Sequence, residues 1–198
     1  MRASKLFRAS PLLLGLALAL HPASGFARAA PPAATSPVQQ PDGQHDFDFE
    51  FGDWTTHIKR LEHPLSGSTS WVEYDGSSIV RKVWGGRANL GEIDVSGPAG
   101  RIQGMSLRLY DPQTRQWFVR FANSRDGDLG PAMVGGFKNG RGEFYNQETL
   151  NGRSIFVRFI FSEVTDKTFA LEQAFSADGG KTWEANWIAT FKKVSSGA

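Results

Sequence analysis

Apolar and polar positions alternate with a period of two along most of the chain, and no segment sustains the 3.6-residue period of an amphipathic helix. In Met105–Tyr110 the apolar set is Met105, Leu107 and Leu109, against Ser106 and Arg108. In Trp117–Phe121 it is Trp117, Val119 and Phe121, against Arg120. Ile155, Val157, Phe159 and Phe161 stand against Arg158, and Phe169, Leu171 and Phe175 against Glu172. Trp183, Trp187 and Phe191 stand against Glu184 and Asn186. Turn dipeptides punctuate these runs: Asp75-Gly76, Asp111-Pro112, Asp126-Gly127, Asn139-Gly140, Asn151-Gly152, Asp166-Lys167 and Asp178-Gly179. The pattern predicts strands near 54–60, 68–75, 78–84, 88–96, 104–111, 116–123, 131–138, 141–149, 153–163, 168–176 and 183–193.

Hairpin after hairpin makes a meander, which leaves two exposed edges unless it closes. The expected fold is therefore all-β, an antiparallel up-and-down barrel of about eight to ten strands. A β-sandwich is the alternative, but it needs longer crossovers than the residues after 100 provide. A barrel of this size has room for one small ligand.

The first 44 residues read differently. Arg2, Lys5 and Arg8 precede an apolar run, Leu12–Leu20, and Ala27-Arg28-Ala29 supplies a small-residue cleavage pattern. Residues 1–29 are thus expected to be a general secretory signal peptide, with the product periplasmic or extracellular. The run is too short to span a bilayer, so no membrane span is expected. Residues 30–44, rich in Ala and Pro, read as a flexible linker. A single domain is expected over 45–193, with a disordered tail at 194–198.

Composition narrows the chemistry. The 198-residue chain has no Cys, which excludes disulfides, thiolate metal sites and thiol catalysis. Fifteen Phe and six Trp match aromatic-rich β structure. The formal charge of +2 is a property of the amino-terminus. Residues 1–29 hold four of the 22 basic residues and no acid, leaving 18 against 20 acids, a formal −2. No nucleic-acid partner is expected.

Three motifs carry a resemblance. Phe47-Asp48-Phe49-Glu50-Phe51-Gly52-Asp53-Trp54 places a Gly-x-Trp at the start of the first strand. Tyr110-Asp111-Pro112-Gln113-Thr114-Arg115-Gln116-Trp117 and Ser176 to Trp183 follow. Together they resemble a family of uncharacterised exported bacterial domains of lipocalin-like (calycin-type) β-barrel fold and unknown function. The resemblance implies that Gly52 and Trp54 close one barrel end, with a basic residue late on the last strand, Lys192 or Lys193, stacked over the Trp. A related barrel family holds haem through a His late in the chain; no His lies beyond His63, so that site does not carry over. Ser176, Asp178, Gly180, Thr182 and Trp183 also match the Asp-box hairpin of sialidase propellers, and one copy implies only a braced turn.

Nucleophile elbows and His-Glu-x-x-His metal motifs are absent from the sequence, and no catalytic residue, cofactor or metal is assigned. Read as a strand, Asp46, Asp48 and Glu50 share one face behind His45. The Gly-bearing calcium loop is missing, so the reading is a short strand or helical turn that plugs the barrel with its Phe residues. Arg108, Arg120 and Arg158 each sit opposite an apolar face. Either they are a solvated exterior, or they converge inside the barrel on a carboxylate or phosphate, as interior Arg with Tyr does in the similar small fatty-acid-binding barrels.

The expected function is binding of a small amphipathic or hydrophobic ligand. The candidate binding residues are Trp71, Trp84, Trp117, Phe121, Tyr145, Trp187, Arg108, Arg120 and Arg158. The alternatives are a packed barrel acting through its surface on an envelope protein, and an enzyme using an interior carboxylate such as Glu143 or Glu172.

Overall fold

The Asn-Gly dipeptides become two-residue hairpins. Asn139 and Gly140 have φ of 53° and 75°, and Asn151 and Gly152 have 51° and 76°. Two successive positive φ values give the twist that suits paired strands. The computed structural model describes residues 42–194 and carries this hairpin logic around a complete circuit.

Its strands are β1 (Gly52–Leu61), β2 (Trp71–Val83), β3 (Ala88–Gly97), β4 (Gly100–Asp111), β5 (Gln116–Asn123), β6 (Met133–Lys138), β7 (Arg141–Leu150), β8 (Arg153–Ser162), β9 (Thr168–Ser176) and β10 (Glu184–Lys193). Each pairs antiparallel with its sequence neighbours, and β10 pairs with β1 to close a ten-stranded barrel. Closure removes the two edges a meander would otherwise expose. No helix among the described residues is long and apolar enough to cross a membrane.

Two expected strands, 68–75 and 78–84, are one, because Asp75-Gly76 lies in the middle of β2 and makes no turn. Gly76 is there for close approach. A Cβ on it would sit 2.1 Å from the Asp94 carbonyl oxygen of β3. Gly135 on β6 meets the Glu143 carbonyl of β7 in the same way, at 1.9 Å. Glycines at such points let strands coil sharply at a barrel corner.

The amino-terminal segment enters one end of the barrel. Asp48–Glu50 form a single 3-10 turn rather than a strand, so the acids do not share a face. Glu50 is fully buried, while Asp48 lies 3.0 Å from His45 Nδ1 on the exposed side. Phe47 is also fully buried and packs edge-on against Trp117, Phe137 and Phe161 at 5.0–5.2 Å. Burying one such ring is worth about 1.5–3 kcal/mol. The docked segment begins earlier than 45: Trp117 Nε1 donates to Gly43 O at 2.8 Å, and the Tyr110 hydroxyl donates to Asp42 O. The segments expected to be a signal peptide (1–29) and a tail (from 195), with residues 30–41 of the expected linker, lie outside the described residues.

Candidate functional site

The strand register sorts the side chains into an inner and an outer wall. Trp54, Thr56 and Ile58 of β1 lie opposite Lys193, Phe191 and Ala189 of β10 and opposite Ser78, Gly76 and Tyr74 of β2. Following that row around the barrel puts Ile93, Ser106, Arg108, Val119, Phe121, Asn146, Gln173 and Trp187 inside. On β4 the inward facing left open for Arg108 is the one adopted. Ser106 and Arg108 face in, and Met105, Leu107 and Leu109 face out.

At the plugged end, Trp54 Nε1 donates to Glu50 O at 2.7 Å and its ring meets Phe169 edge-on at 4.8 Å. The cation over Trp54 is Lys193, 5.1 Å from the ring centre. This corrects Lys192. It pairs with Thr55, one step out of phase, and so faces the other way.

Beneath the plug lies a charged cluster. Arg108 Nη1 donates to Asn89 Oδ1 at 3.0 Å and stands 2.9 Å from Glu50 Oε2. Its guanidinium also lies 5.1 Å from the Phe47 ring centre. Burial pushes the Glu50 carboxyl up to about 7, against a smaller downward pull from Arg108. Burial likewise lowers the Arg108 pKa, opposed by Glu50. The pair is therefore held by geometry rather than by surplus attraction. The Glu50–Arg108 contact is ionic and lacks hydrogen-bond alignment, leaving both Glu50 oxygens, Arg108 Nε and Asn89 Nδ2 without hydrogen-bond partners among the described residues.

Toward the other end the inner wall opens. Phe121 faces inward yet is 38% exposed. It lies over Gly104, whose missing Cβ would stand 2.3 Å from the ring. Trp187, Phe159 and Phe175 are half-buried members of the same wall. Polar groups are set among them: Asn146 Nδ2 donates to Glu148 Oε1 at 2.9 Å, and Gln173 Nε2 donates to Asn186 Oδ1 at 2.7 Å. Asn146 Oδ1 and Thr56 Oγ1 have no hydrogen-bond partner among the described residues. At this mouth a cavity of about 220 Å³ is lined by Arg60, Val72, Tyr74, Ile102, Arg125 and the 62–64 loop. A larger depression, about 610 Å³, crosses the outer face of β2–β5. Its acids Glu92 and Asp94 are already paired with Arg81 and Arg101, which leaves it no unmet polar demand.

The residues expected to bind do not come together. Trp117 is inside but fully committed to the plug, with Phe47 against its ring. Arg108 is inside and tied to Glu50. Phe121 and Trp187 line the open part of the interior. The other candidates are corrected to the exterior. Trp71 and Tyr145 fall on the outer row by alternation, and Trp84 is 69% exposed on the β2–β3 turn. Arg120 points out and donates to Gly130 O at 2.9 Å. Arg158 stacks on Trp183 at 4.6 Å on the outer wall. The carboxylates considered for catalysis, Glu143 and Glu172, are on that wall too, paired with Arg141 and Arg158. Arg141 and Tyr145 hold the Glu143 carboxyl below its ordinary range.

Trp183 and Trp187 are four residues apart and on opposite walls, because a bulge between Ala185 and Trp187 shifts the register. The turn before them is braced by one carboxylate. Asp178 accepts from the amides of Lys181 and Thr182 and from the hydroxyls of Ser176 and Thr182. Those bonds hold its pKa far below the ordinary value. Ser176 Oγ accepts from Gly180 N, and Trp183 Nε1 donates to Gly180 O.

No family model and no curated protein matches the chain. Sixteen chains of known structure do. The S-type phycobiliprotein lyase CPES from Guillardia theta superposes with a TM-score of 0.55 at 10% identity, covering 78% of this chain and 93% of that one. EF1p2_mFAP2b bound to DFHBI gives 0.42 at 8% identity over 77% and 99%. The likeness to the lyase is one of fold alone, that of this chain being a closed antiparallel up-and-down barrel.

Proposed function

We propose that the protein is a binding barrel for a small amphipathic or hydrophobic molecule, which enters at the end opposite the plug. One observation carries the reading. Seven buried side-chain atoms lack a hydrogen-bond partner among the described residues, and six belong to inward-facing groups: Glu50, Thr56, Asn89, Arg108 and Asn146. A core built for stability alone satisfies such atoms or replaces them with apolar groups. Here they sit on an aromatic wall whose far end reaches solvent at Phe121. That is the makeup of a ligand site, an apolar lining with a few placed polar groups.

The test is a titration with decanol, read by displacement of the neutral dye N-phenyl-1-naphthylamine. Saturable one-site displacement is expected, weakened about tenfold by the double variant Thr56→Val, Asn146→Leu, which removes the two orphaned oxygens nearest the open end. Equal affinity in the variant would overturn the reading.

A second reading rests on the outward face of β4. Leu107 and Leu109 face out beside Phe118 and Leu90, and Met105 is exposed one row away. An apolar stripe of this kind suits a protein partner. Leu107→Glu would abolish such an interaction and leave dye displacement unchanged. The amino-terminal export pattern supports a periplasmic or extracellular location for either activity, and cell fractionation tests this.

A further inference from the structure

We infer that Arg60 and Arg125 form an anion clamp at the mouth, taking the carboxylate, sulfate or phosphate head of a ligand whose apolar part lies in the barrel. The inference rests on the binding reading above and adds the head-group chemistry to it.

The cavity of about 220 Å³ joins two unlike surfaces. Its floor is Val72, Tyr74 and Ile102, and the last two belong to the buried core. Its rim carries Arg60, from the end of β1, and Arg125, from the β5–β6 loop, with Glu62 as the one acid of the lining. Neither guanidinium forms an ion pair among the described residues, whereas Arg81, Arg101, Arg108, Arg141 and Arg158 all do. The Arg125 position is set: Nη2 donates to Arg101 O at 2.8 Å, and the backbone N–H donates to Asn123 Oδ1 at 2.9 Å. That leaves the other guanidinium donors for a ligand, in a fork that can bond two oxygens of a carboxylate, sulfate or phosphate at once.

The loop beside the rim is built under strain. His63 and Leu65 are non-glycine residues with φ of 54° and 60°. Two bonds hold them there: Ser66 Oγ donates to His63 O at 2.5 Å, and Leu65 N donates to Glu184 Oε1 at the start of the neighbouring β10 at 2.5 Å. Strain retained by dedicated bonds is a mark of binding and switch segments. The volume is below the roughly 300–1,000 Å³ of sites that enclose a whole drug-sized molecule. It fits a head group, with the tail continuing along the inner wall.

The experiment compares decanoate, decanol and inorganic phosphate on the full chain and on Arg60→Gln, Arg125→Gln. Circular dichroism checks that the variant keeps its fold. Decanoate is expected to bind the parent about tenfold or more tighter than decanol, and the variant to lose that advantage while its decanol affinity stays unchanged. Competition by phosphate against decanoate would show that the clamp takes the head group alone. Equal affinity of the parent for decanoate and decanol would overturn the clamp and leave the binding reading standing. Displacement by neither would overturn the binding reading, and the clamp with it.

Discussion

Glu50→Gln isolates the energetics of the plug. In the folded chain the Glu50 carboxyl titrates at about 7 against an ordinary 4.5, because burial outweighs its attraction to Arg108. The carboxyl thus holds its proton more tightly in the folded chain than in the unfolded one. Stability from this group is full below about pH 4.5 and is lost as pH rises through about 7. The gap from 4.5 to about 7 corresponds to about 3 kcal/mol. Gln has nearly the same shape and no titration. The parent and the Gln variant should therefore coincide in stability near pH 4.5, and at pH 8 the variant should be the more stable by about 3 kcal/mol. Urea denaturation from pH 4.5 to 8 reads this difference directly. Carboxylates held below their ordinary range, such as Glu143 and Asp178, titrate at lower pH and are common to both chains. A Gln variant less stable than the parent at pH 8 would refute the reasoning. It would make the Glu50–Arg108 pair a net source of stability.

Phe47→Ala removes the ring around which Trp117, Phe137 and Phe161 pack, and should cost about 3–5 kcal/mol in chemical denaturation. Gly135→Ala drives a Cβ into the Glu143 carbonyl and should destabilise strongly, whereas Gly136→Ala meets nothing within 4 Å and should be mild by the same assay. Asp178→Ala should speed hydrogen exchange at the Lys181 and Thr182 amides while leaving β1 protected.

Closure, strand direction and most of the inner wall were legible from alternation, because β5, β8 and β9 carry bulky apolar residues at every inward position named for them. β4 was not. Its inward Arg108 meets Glu50 and Asn89, which are distant in sequence and come to it only in the folded barrel. Asp75-Gly76 carries the same letters as a turn but serves a close approach between strands, and only the neighbouring Asp94 backbone distinguishes the two uses. Aromatic content said nothing about facing, so Trp71, Trp84 and Tyr145 fell outside. The bulge at Asn186 similarly parted Trp183 from Trp187. Of the mouth cavity, Arg60 was readable, since it continues the Trp54, Thr56, Ile58 phase of β1. Arg125 and His63 were not, because loops converge only in three dimensions.

The central claim is that the ligand lies inside the barrel. Side-chain NMR along β5 during a decanol titration tests it most directly, since consecutive residues there face opposite walls. The account predicts saturable shifts at Val119 and Phe121 with Phe118 and Arg120 silent. Shifts confined to Phe118 and Arg120 would place binding on the outer face and contradict it.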